Sequence, residues 1–330
     1  MFNFQSFEDV FESDPECSFD EDAVKEIESN RKTYEGLFVE KVMKLMGIKR
    51  PSKYYPPKSN ADLRNLHKVL IETTAADHHK ISVLYYLLLH LDYPTGERRL
   101  SVAFERKSSL PNKYSTYMKG LWHLDRGEFA VCPPNPRPLF KANTFQDAVQ
   151  YLTHPSLIPT FPDEILEVLV RYSTKDLTLA LAYYYTIQPS LTSNRAIECL
   201  ISAIARNSVT EAFYFSRSQP QHTQRHMFEM ITSLVLHNSP AQTIADRSVE
   251  LINLPFSEVE EAWFEEYLLQ GEGVGIKKAR DTVLMRRIGT GKFKESMAFG
   301  KGLTGRAING LDWNGLSNAV KDGLGPRAKV

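Results

Sequence analysis

Apolar residues recur at helical spacing along most of this chain, in segments separated by prolines and short polar loops. In the segment from Asp77 to Leu91, for example, Ile81, Leu84 and Leu88 lie three or four positions apart. No convincing run of alternating β-branched residues suggests a strand. The sequence therefore predicts an all-α fold, an irregular α-helical solenoid of stacked antiparallel helix pairs with flexible N- and C-terminal segments. No fixed repeat period is clear, so a TPR or HEAT array is not expected.

Local signals predict where individual helices begin and end. The first long helix is expected to begin at Ser18 or Asp20 and to run to Gly47, where a left-handed residue would stop it. Two capping boxes, in which a hydroxyl and a carboxylate satisfy backbone donors at a helix start, are predicted at Ser208 to Glu211 and at Ser257 to Glu260.

Charge is balanced over the whole chain but unevenly distributed. The 40 basic and 40 acidic residues give a formal net charge of zero, which disfavours a globally basic nucleic-acid binder. Residues 1–30 contain ten carboxylates and one lysine, whereas residues 276–330 contain twelve basic and four acidic residues. Such ends serve partner docking, attraction between the two ends, or solubility alone.

Glycine usage separates the carboxyl-terminal region from the rest. Twelve of the 17 glycines lie between Gly271 and Gly325, and a glycine-rich segment with little apolar surface does not repay the entropy of folding. We therefore expect three parts: residues 1–17 as an acidic, Phe-containing N-terminal segment, residues 18–290 as the α-helical domain, and residues 291–330 as a Gly-rich basic tail.

The three cysteines, Cys17, Cys132 and Cys199, are odd in number and far apart, which indicates a reducing compartment. The amino terminus lacks the features of a signal or transit peptide. The longest apolar stretch, Ile81 to Leu91, falls far short of the roughly 20 residues that a bilayer requires. We expect a soluble protein of the nucleus or cytosol.

Candidate catalytic and metal sites are weak. His78 and His79 are adjacent and would point in different directions on a helix, and His222 and His226 lack an acidic partner at zinc-protease spacing. We therefore interpret these histidines as surface or capping residues. No nucleophile elbow, Walker loop or Cys/His signature is present in the sequence.

Two further patterns also favour structure over chemistry. The GEGVG segment containing Gly271, Gly273 and Gly275 follows a helix rather than a strand, so it predicts a helix stop and a new helix start rather than a dinucleotide loop. The glutamates around Trp263 have the spacing of a charged helix face beside an apolar anchor: they are Glu260, Glu261, Glu265 and Glu266. We expect no enzyme activity, no catalytic residue, no cofactor and no metal.

Two segments are candidates for partner binding. The acidic N-terminal segment has more apolar side chains than solubility requires and is expected to thread onto a partner; they are Phe2, Phe4, Phe7 and Phe11. In the tail, Trp313, Leu316 and Val320 would share one face of a short helix, which is marginal alone but suits a linear partner motif or a self-docking latch.

Six segments in order make the chain resemble the ELYS-like family, the helical domain of the nuclear-pore assembly protein ELYS and its shorter fungal relatives. The resemblance spans about Phe19 to Phe293. The segments that carry it are YYPPKSNADLRNLH (Tyr54 to His67), DHHKISVLYYLLL (Asp77 to Leu89), GLWHLDRGEF (Gly120 to Phe129), YLTHPSLIPTFPDEIL (Tyr151 to Leu166), SVTEAFYFSR (Ser208 to Arg217) and AWFEEYLLQGEG (Ala262 to Gly273).

The resemblance implies a non-enzymatic nucleoporin, a scaffold or adaptor subunit of the Y-shaped outer-ring complex at the nuclear envelope that contributes to pore assembly and nucleocytoplasmic transport. Its implied partners are the helical and propeller subunits of the short arm. The chain has no room for the β-propeller of animal ELYS and nowhere reads RGRP. The AT-hook contact with chromatin is therefore not carried over, and direct DNA binding is not expected.

Two alternatives stay open. A helical adaptor in another multi-protein assembly would share this architecture. A nucleic-acid or chromatin-binding protein could use the basic residues of the tail, and its affinity would then fall steeply with salt.

Overall fold

The computed structural model describes residues 2–11, 19, 21–93, 99–127, 144–172, 178–237 and 244–292, together with the single positions 295, 296, 299, 315, 318 and 322. These residues form sixteen α-helices and two short 3-10 helices, and no strand occurs among them. They fall into two compact units that meet in sequence at Ile197 and Glu198. The all-α prediction is confirmed.

The first unit contains ten helices and the beginning of an eleventh. They are α1 (Phe7–Phe11), α2 (Glu21–Thr33), α3 (Phe38–Leu45), α4 (Asn60–Glu72), α5 (Asp77–Asp92), α6 (Arg99–Ser108), α7 (Asn112–Arg126), α8 (Thr144–Leu152), α9 (Pro162–Tyr172), α10 (Thr178–Ile187) and α11 (Asn194–Asn207), with a 3-10 helix at Pro51–Lys53. Helix α5 packs against α3, α4, α6 and α7. Every residue from Val83 to Leu88 is fully buried, because a helix surrounded by neighbours is apolar on all sides.

The second unit takes most of α11 and five further helices. They are α12 (Val209–Ser218), α13 (Gln221–His237), α14 (Ile244–Ile252), α15 (Glu258–Leu269) and α16 (Ala279–Gly289), with a 3-10 helix at Glu272–Gly275. Helix α13 packs against α12, α14 and α15, and α16 packs against α14 and α15. Helix-on-helix packing of this kind is what the irregular solenoid prediction requires.

The prediction of one helix from Ser18 or Asp20 to Gly47 is wrong in one respect, because this segment forms two helices, α2 and α3. The chain leaves α2 through Glu35, with φ 58°, and Gly36, with φ 123°, before α3 begins. Gly36 adopts a backbone conformation that side-chain-bearing residues rarely reach, so it stops α2 in the way predicted for Gly47. Gly47, with φ 94°, does end α3.

Two other helices begin at the predicted caps, with the full capping box at Ser257 and the side-chain half of the box at Ser208. The Ser257 hydroxyl accepts the backbone N–H of Glu260, and the Glu260 carboxylate accepts that of Ser257, which confirms this capping box. The Ser208 hydroxyl accepts the backbone N–H of Glu211 at the start of α12. Each cap satisfies donors that would otherwise be orphaned at the helix start.

Helices α7 and α8 form the most extensive helix pair in the first unit. A Cβ atom at Gly120 of α7 would lie 2.6 Å from Cγ of Leu152. The absence of a side chain at Gly120 therefore allows α8 to approach the backbone of α7 directly.

None of the helices in the described part of the chain is long and apolar enough to span a bilayer. The boundaries predicted at residues 17/18 and 290/291 stay predictions.

Candidate functional site: buried polar clusters in two helical units

A buried carboxylate joins α7 to α3 in the first unit. Asp125 of α7 is only 4% exposed. Its Oδ1 accepts the backbone N–H of Phe38 at 2.6 Å, and its Oδ2 accepts that of Val39 at 3.0 Å and the hydroxyl of Tyr86 at 2.8 Å. Leu37, at the N-cap position of α3, has no side-chain oxygen. Asp125 therefore supplies from another helix the cap that the local sequence lacks.

Burial and hydrogen bonding have opposite effects on the pKa of the Asp125 carboxyl. Burial raises its pKa to about 7, while the hydrogen bonds from Phe38, Val39 and Tyr86 lower that pKa. The Tyr86 hydroxyl is also fully buried, and burial raises its pKa well above the ordinary range, so it stays a donor. The chemistry available to this cluster is hydrogen bonding between helices.

Asn30 of α2 completes the same junction. Its buried side-chain amide donates to the backbone carbonyl oxygens of Asp125 at 3.0 Å and of Arg126 at 2.9 Å, at the carboxyl end of α7. These carbonyls have no partner further along the helix. Asn30 thus caps the end of α7, while Asp125 from that end caps the start of α3.

An aromatic and histidine cluster lies beside this junction. The buried Tyr55 hydroxyl and His90 Nε2 are 2.9 Å apart, and the rings of Tyr55 and Tyr86 lie 6.2 Å apart between centroids. Burial lowers the pKa of His90 well below its usual range, so the ring is neutral. Arg31 donates to the backbone oxygen of Tyr55 and pairs with Glu40 at 2.8 Å. Side chains from α2, α3, α5 and α7 therefore converge on one polar core.

In the second unit, the acidic face of α15 is paired with arginines from three helices. The closest N to O distances are 2.6 Å for Arg217 with Glu260, 2.5 Å for Arg286 with Glu261, 2.6 Å for Arg287 with Glu265 and 3.2 Å for Arg225 with Glu266. The four glutamates expected to form a charged helix face are thus each bound to an arginine of α12, α13 or α16.

Arg286 is the most buried member of this network, at 4% exposed. Its guanidinium donates to Glu261 and to the backbone carbonyls of Ile252 and Leu254 at the end of α14. Its Cζ lies 4.1 Å from the centroid of the Phe256 ring. One planar cation therefore joins α14, α15 and α16, which a lysine could not do with the same geometry.

The histidine and glycine motifs have structural surroundings. His78 lies against Tyr114, with ring centroids 4.9 Å apart, and His226 Nε2 is 3.2 Å from Glu198. The GEGVG segment forms the 3-10 helix between α15 and α16, which confirms the predicted stop and restart. Within the ranges that the structure describes, no group of three or more His, Cys, Asp or Glu side chains could hold a metal ion.

Most residues of these clusters lie within the part of the chain that matches a known protein family. The model of the ELYS family, described as nuclear pore complex assembly, matches residues 36–271. The chain belongs to the ELYS family. It is also similar to the uncharacterized protein ely5 of Schizosaccharomyces pombe, with 26% identity over 261 residues that cover 78% of this chain and 77% of that protein. The resemblance seen in the sequence is confirmed. The family to which the chain belongs is described by its part in nuclear pore complex assembly.

The ELYS-family region includes the residues that tie the first unit together. Tyr55, Tyr86 and Asp125 come from three of the six segments that carry the resemblance, and they meet in one buried cluster. Arg217 and Glu260 of the second unit also lie within residues 36–271. Asn30 and Arg286 lie outside that range, so the polar cores extend beyond the ELYS match at both ends.

The structure brings together the partner-binding candidates of the N-terminal segment, but on the chain itself. Phe11 is fully buried, Phe7 packs against His67, and the Phe2 ring lies 5.5 Å from that of Phe104. Phe4 is half-buried. Binding of these residues to a partner stays a prediction, and it would require them to leave these contacts.

The tail candidates Trp313, Leu316 and Val320 lie outside the described residues. Among the described residues of this ELYS-family chain, the two most exposed large apolar side chains are Ile158, at 93%, and Leu45, at 68%. Ile158 lies in the loop between α8 and α9, where the Tyr117 hydroxyl accepts the backbone N–H of Thr160. The loop is thus anchored on α7 while Ile158 faces solvent.

Sequence reasoning missed Asp125, Asn30 and Arg286. Their roles depend on backbone groups distant in sequence, so no local spacing identifies them. A polar residue inside an otherwise apolar helix stripe was the only available signal, as at Asp125 beside Leu121 and Leu124.

Proposed function

We propose that this chain is a structural nucleoporin, a scaffold or adaptor subunit of the Y-shaped outer-ring complex of the nuclear pore. In this role it contributes to pore assembly and so to nucleocytoplasmic transport, without catalysing a reaction. Its partners are helical and propeller nucleoporins of the short arm, and its site of action is the nuclear envelope. The observation that carries the proposal is the ELYS-family match over residues 36–271.

The internal structure supports a scaffold role. The ionisable side chains of Asp125, His90 and Arg286 each hydrogen-bond to a residue of another helix or loop in their own unit. Such groups hold helix junctions in one geometry, which a subunit that spaces other proteins requires. On this view the partners are recognised by the outer faces of the helices and loops.

The decisive experiment locates the chain and its neighbours in cells. A tagged chain is expressed in its native cells, imaged, and crosslinked in nuclear-envelope extract before mass spectrometry. We expect a signal at the nuclear rim and crosslinks to Y-complex subunits. Crosslinks to a different assembly would replace the proposal with the other-adaptor alternative, and salt-sensitive binding to DNA or RNA that depends on the tail would favour the nucleic-acid alternative.

A point substitution tests the contribution of the outer surface. Ile158→Glu changes a side chain that is almost fully exposed and should leave the helices intact, because it removes no packing. Gln150→Glu, at an exposed position near the end of α8, is the matched control. We expect reduced recovery of Y-complex subunits with Ile158→Glu and normal recovery with Gln150→Glu. Equal recovery would remove Ile158 from the partner surface.

A further inference from the structure

Residues 2–11, here called the head, pack against residues of α4 and α6, and the surface that they cover is called the groove below. The groove is defined by Arg64 and His67 of α4 and by Phe104 of α6. Arg64 Cζ lies 4.0 Å from the centroid of the Phe7 ring, and the His67 ring meets Phe7 edge-on at 5.7 Å. Phe7 therefore lies between a cation and an aromatic edge.

The groove also binds polar groups of the head. Arg64 Nη1 donates to Glu8 Oε1 at 2.8 Å, so one guanidinium contacts both the Phe7 ring and the carboxylate that follows it. His67 Nε2 is 3.0 Å from the backbone oxygen of Phe4, to which it donates. Phe11, one helical turn after Phe7, contacts both Phe7 and His67. The recognised pattern is an aromatic residue, an acid next to it, and a second aromatic four positions after the first.

The head is held by a deep anchor and an exposed rim. Val10 and Phe11 are buried. By contrast, the side chains of Arg64 and Glu8 are 54% and 55% exposed, and an ion pair this exposed contributes little. Helix α1 has five residues and would not be stable alone. Docking of the head therefore depends on its side-chain contacts rather than on the stability of α1, and its departure would expose Val10 and Phe11 and free Arg64 and His67 for another ligand.

We propose that this groove is a docking site for a partner peptide with the same pattern, an acidic helix that presents aromatic, acid and aromatic side chains at positions i, i+1 and i+4. The head is its intramolecular competitor. Charge complementarity at Arg64 and the chemistry of the bound head define this occupant. The head of a second copy would bring the same contacts at a far lower effective concentration than the attached head, so exchange between copies offers no gain. A partner with a longer helix adds contacts and displaces the head. The inference does not depend on which assembly contains the chain.

The test uses the full chain and two labelled peptides. One is the head itself, FNFQSFEDVF, and the other is an alanine-rich helix carrying Phe, Glu and Phe at positions i, i+1 and i+4. Glu8→Lys in the protein loosens the head but leaves the groove intact, whereas Arg64→Glu damages the groove. We expect Glu8→Lys to bind both peptides several-fold more tightly than wild type, because its head sets a lysine against Arg64, and Arg64→Glu to bind both peptides more weakly than Glu8→Lys does.

A charge swap makes the result specific. A head peptide with Lys in place of Glu8 should bind the Arg64→Glu protein more tightly than it binds the wild type. Absence of peptide binding to Glu8→Lys, or equal binding to Arg64→Glu, would overturn the proposal. If Glu8→Lys fails to fold, as judged by circular dichroism, Phe2→Ala is the second loosening variant, with the same expected gain. Dimers of Glu8→Lys that increase with concentration and disappear with added peptide would assign the groove to a second copy and reject the partner.

Discussion

Asp125 of α7 accepts the backbone N–H of Phe38 at 2.6 Å, although the two residues are 87 positions apart in sequence. The first turn of α3 is therefore capped by a side chain from another helix. Because the carboxylate is buried with its donors, its removal leaves donors with no access to water. The start of α3 and the end of α7 should consequently be stable only together.

Asp125→Ala should lower the free energy of unfolding by about 3 kcal/mol or more, through lost hydrogen bonds and a cavity. Asp163→Ala is the matched control. Asp163 accepts the backbone N–H groups of Thr192 and Ser193 just before α11, but at the surface, so its loss should cost about 1 kcal/mol. Urea denaturation measures both, and equal losses would show that burial of the Asp125 cap is unimportant.

The stability of the first unit should also depend on pH through Asp125. Burial raises its folded-state pKa to about 7, above the ordinary value of 3.8. The folded state therefore binds more protons than the unfolded state between these values, and the free energy of unfolding should fall as pH rises from about 4 to about 7. Comparison with Asp125→Asn, which does not titrate, isolates this contribution. If wild type and variant show parallel pH dependence, Asp125 titrates normally.

Gly120→Ala should destabilise the α7–α8 pair by about 1–3 kcal/mol, because the new Cβ would lie 2.6 Å from Leu152 Cγ. Gly289→Ala, at the last residue of α16, is the control. A Cβ at position 289 would meet no atom within 4 Å. Because alanine has a higher helix propensity than glycine, this substitution should be neutral or should stabilise the protein by up to about 1 kcal/mol. Thermal unfolding distinguishes the two, and an unchanged Gly120→Ala protein would refute the close approach.

Arg286→Ala should lower the free energy of unfolding by about 3–5 kcal/mol, since it leaves Glu261 and the carbonyl groups of Ile252 and Leu254, at and just after the end of α14, without their buried donor. Arg225→Ala breaks ion pairs with Glu229 and Glu266 at the surface and should cost less than about 1 kcal/mol. Denaturant titration of the two variants gives the comparison. Arg286→Lys should not restore stability, because an ammonium cannot reproduce the planar set of contacts.

Docking of the head should weaken as pH falls below about 6.5. Burial lowers the pKa of His67, so its protonation opposes the folded contact, and the Arg64 partner lowers the pKa of Glu8, so acid also removes that pair. The groups facing His67 are the Phe4 carbonyl, Glu8 and Arg64. Fluorine NMR of a fluorophenylalanine at position 2 reports release. His67→Gln keeps a donor without titrating near neutrality, so its head should stay docked until Glu8 protonates.

The amino-acid sequence by itself determined the helical class and several helix boundaries. Helical spacing, the capping box at Ser257 and Glu260, and the stop at Gly47 act within one or two turns, so they can be recognised locally. The break at Gly36 was missed, because the apolar positions of α2 and α3 together resemble one continuous helical stripe.

Only the tertiary structure decided what the polar residues do. The glutamates around Trp263 have the spacing of a charged helix face, and only the structure shows that they bind arginines from α12, α13 and α16. Phe7 and Phe11 in an acidic segment resemble a partner motif, yet they pack on α4. In each case the side chain's partner is distant in sequence, and the balance between desolvation and pairing is set only when the helices meet.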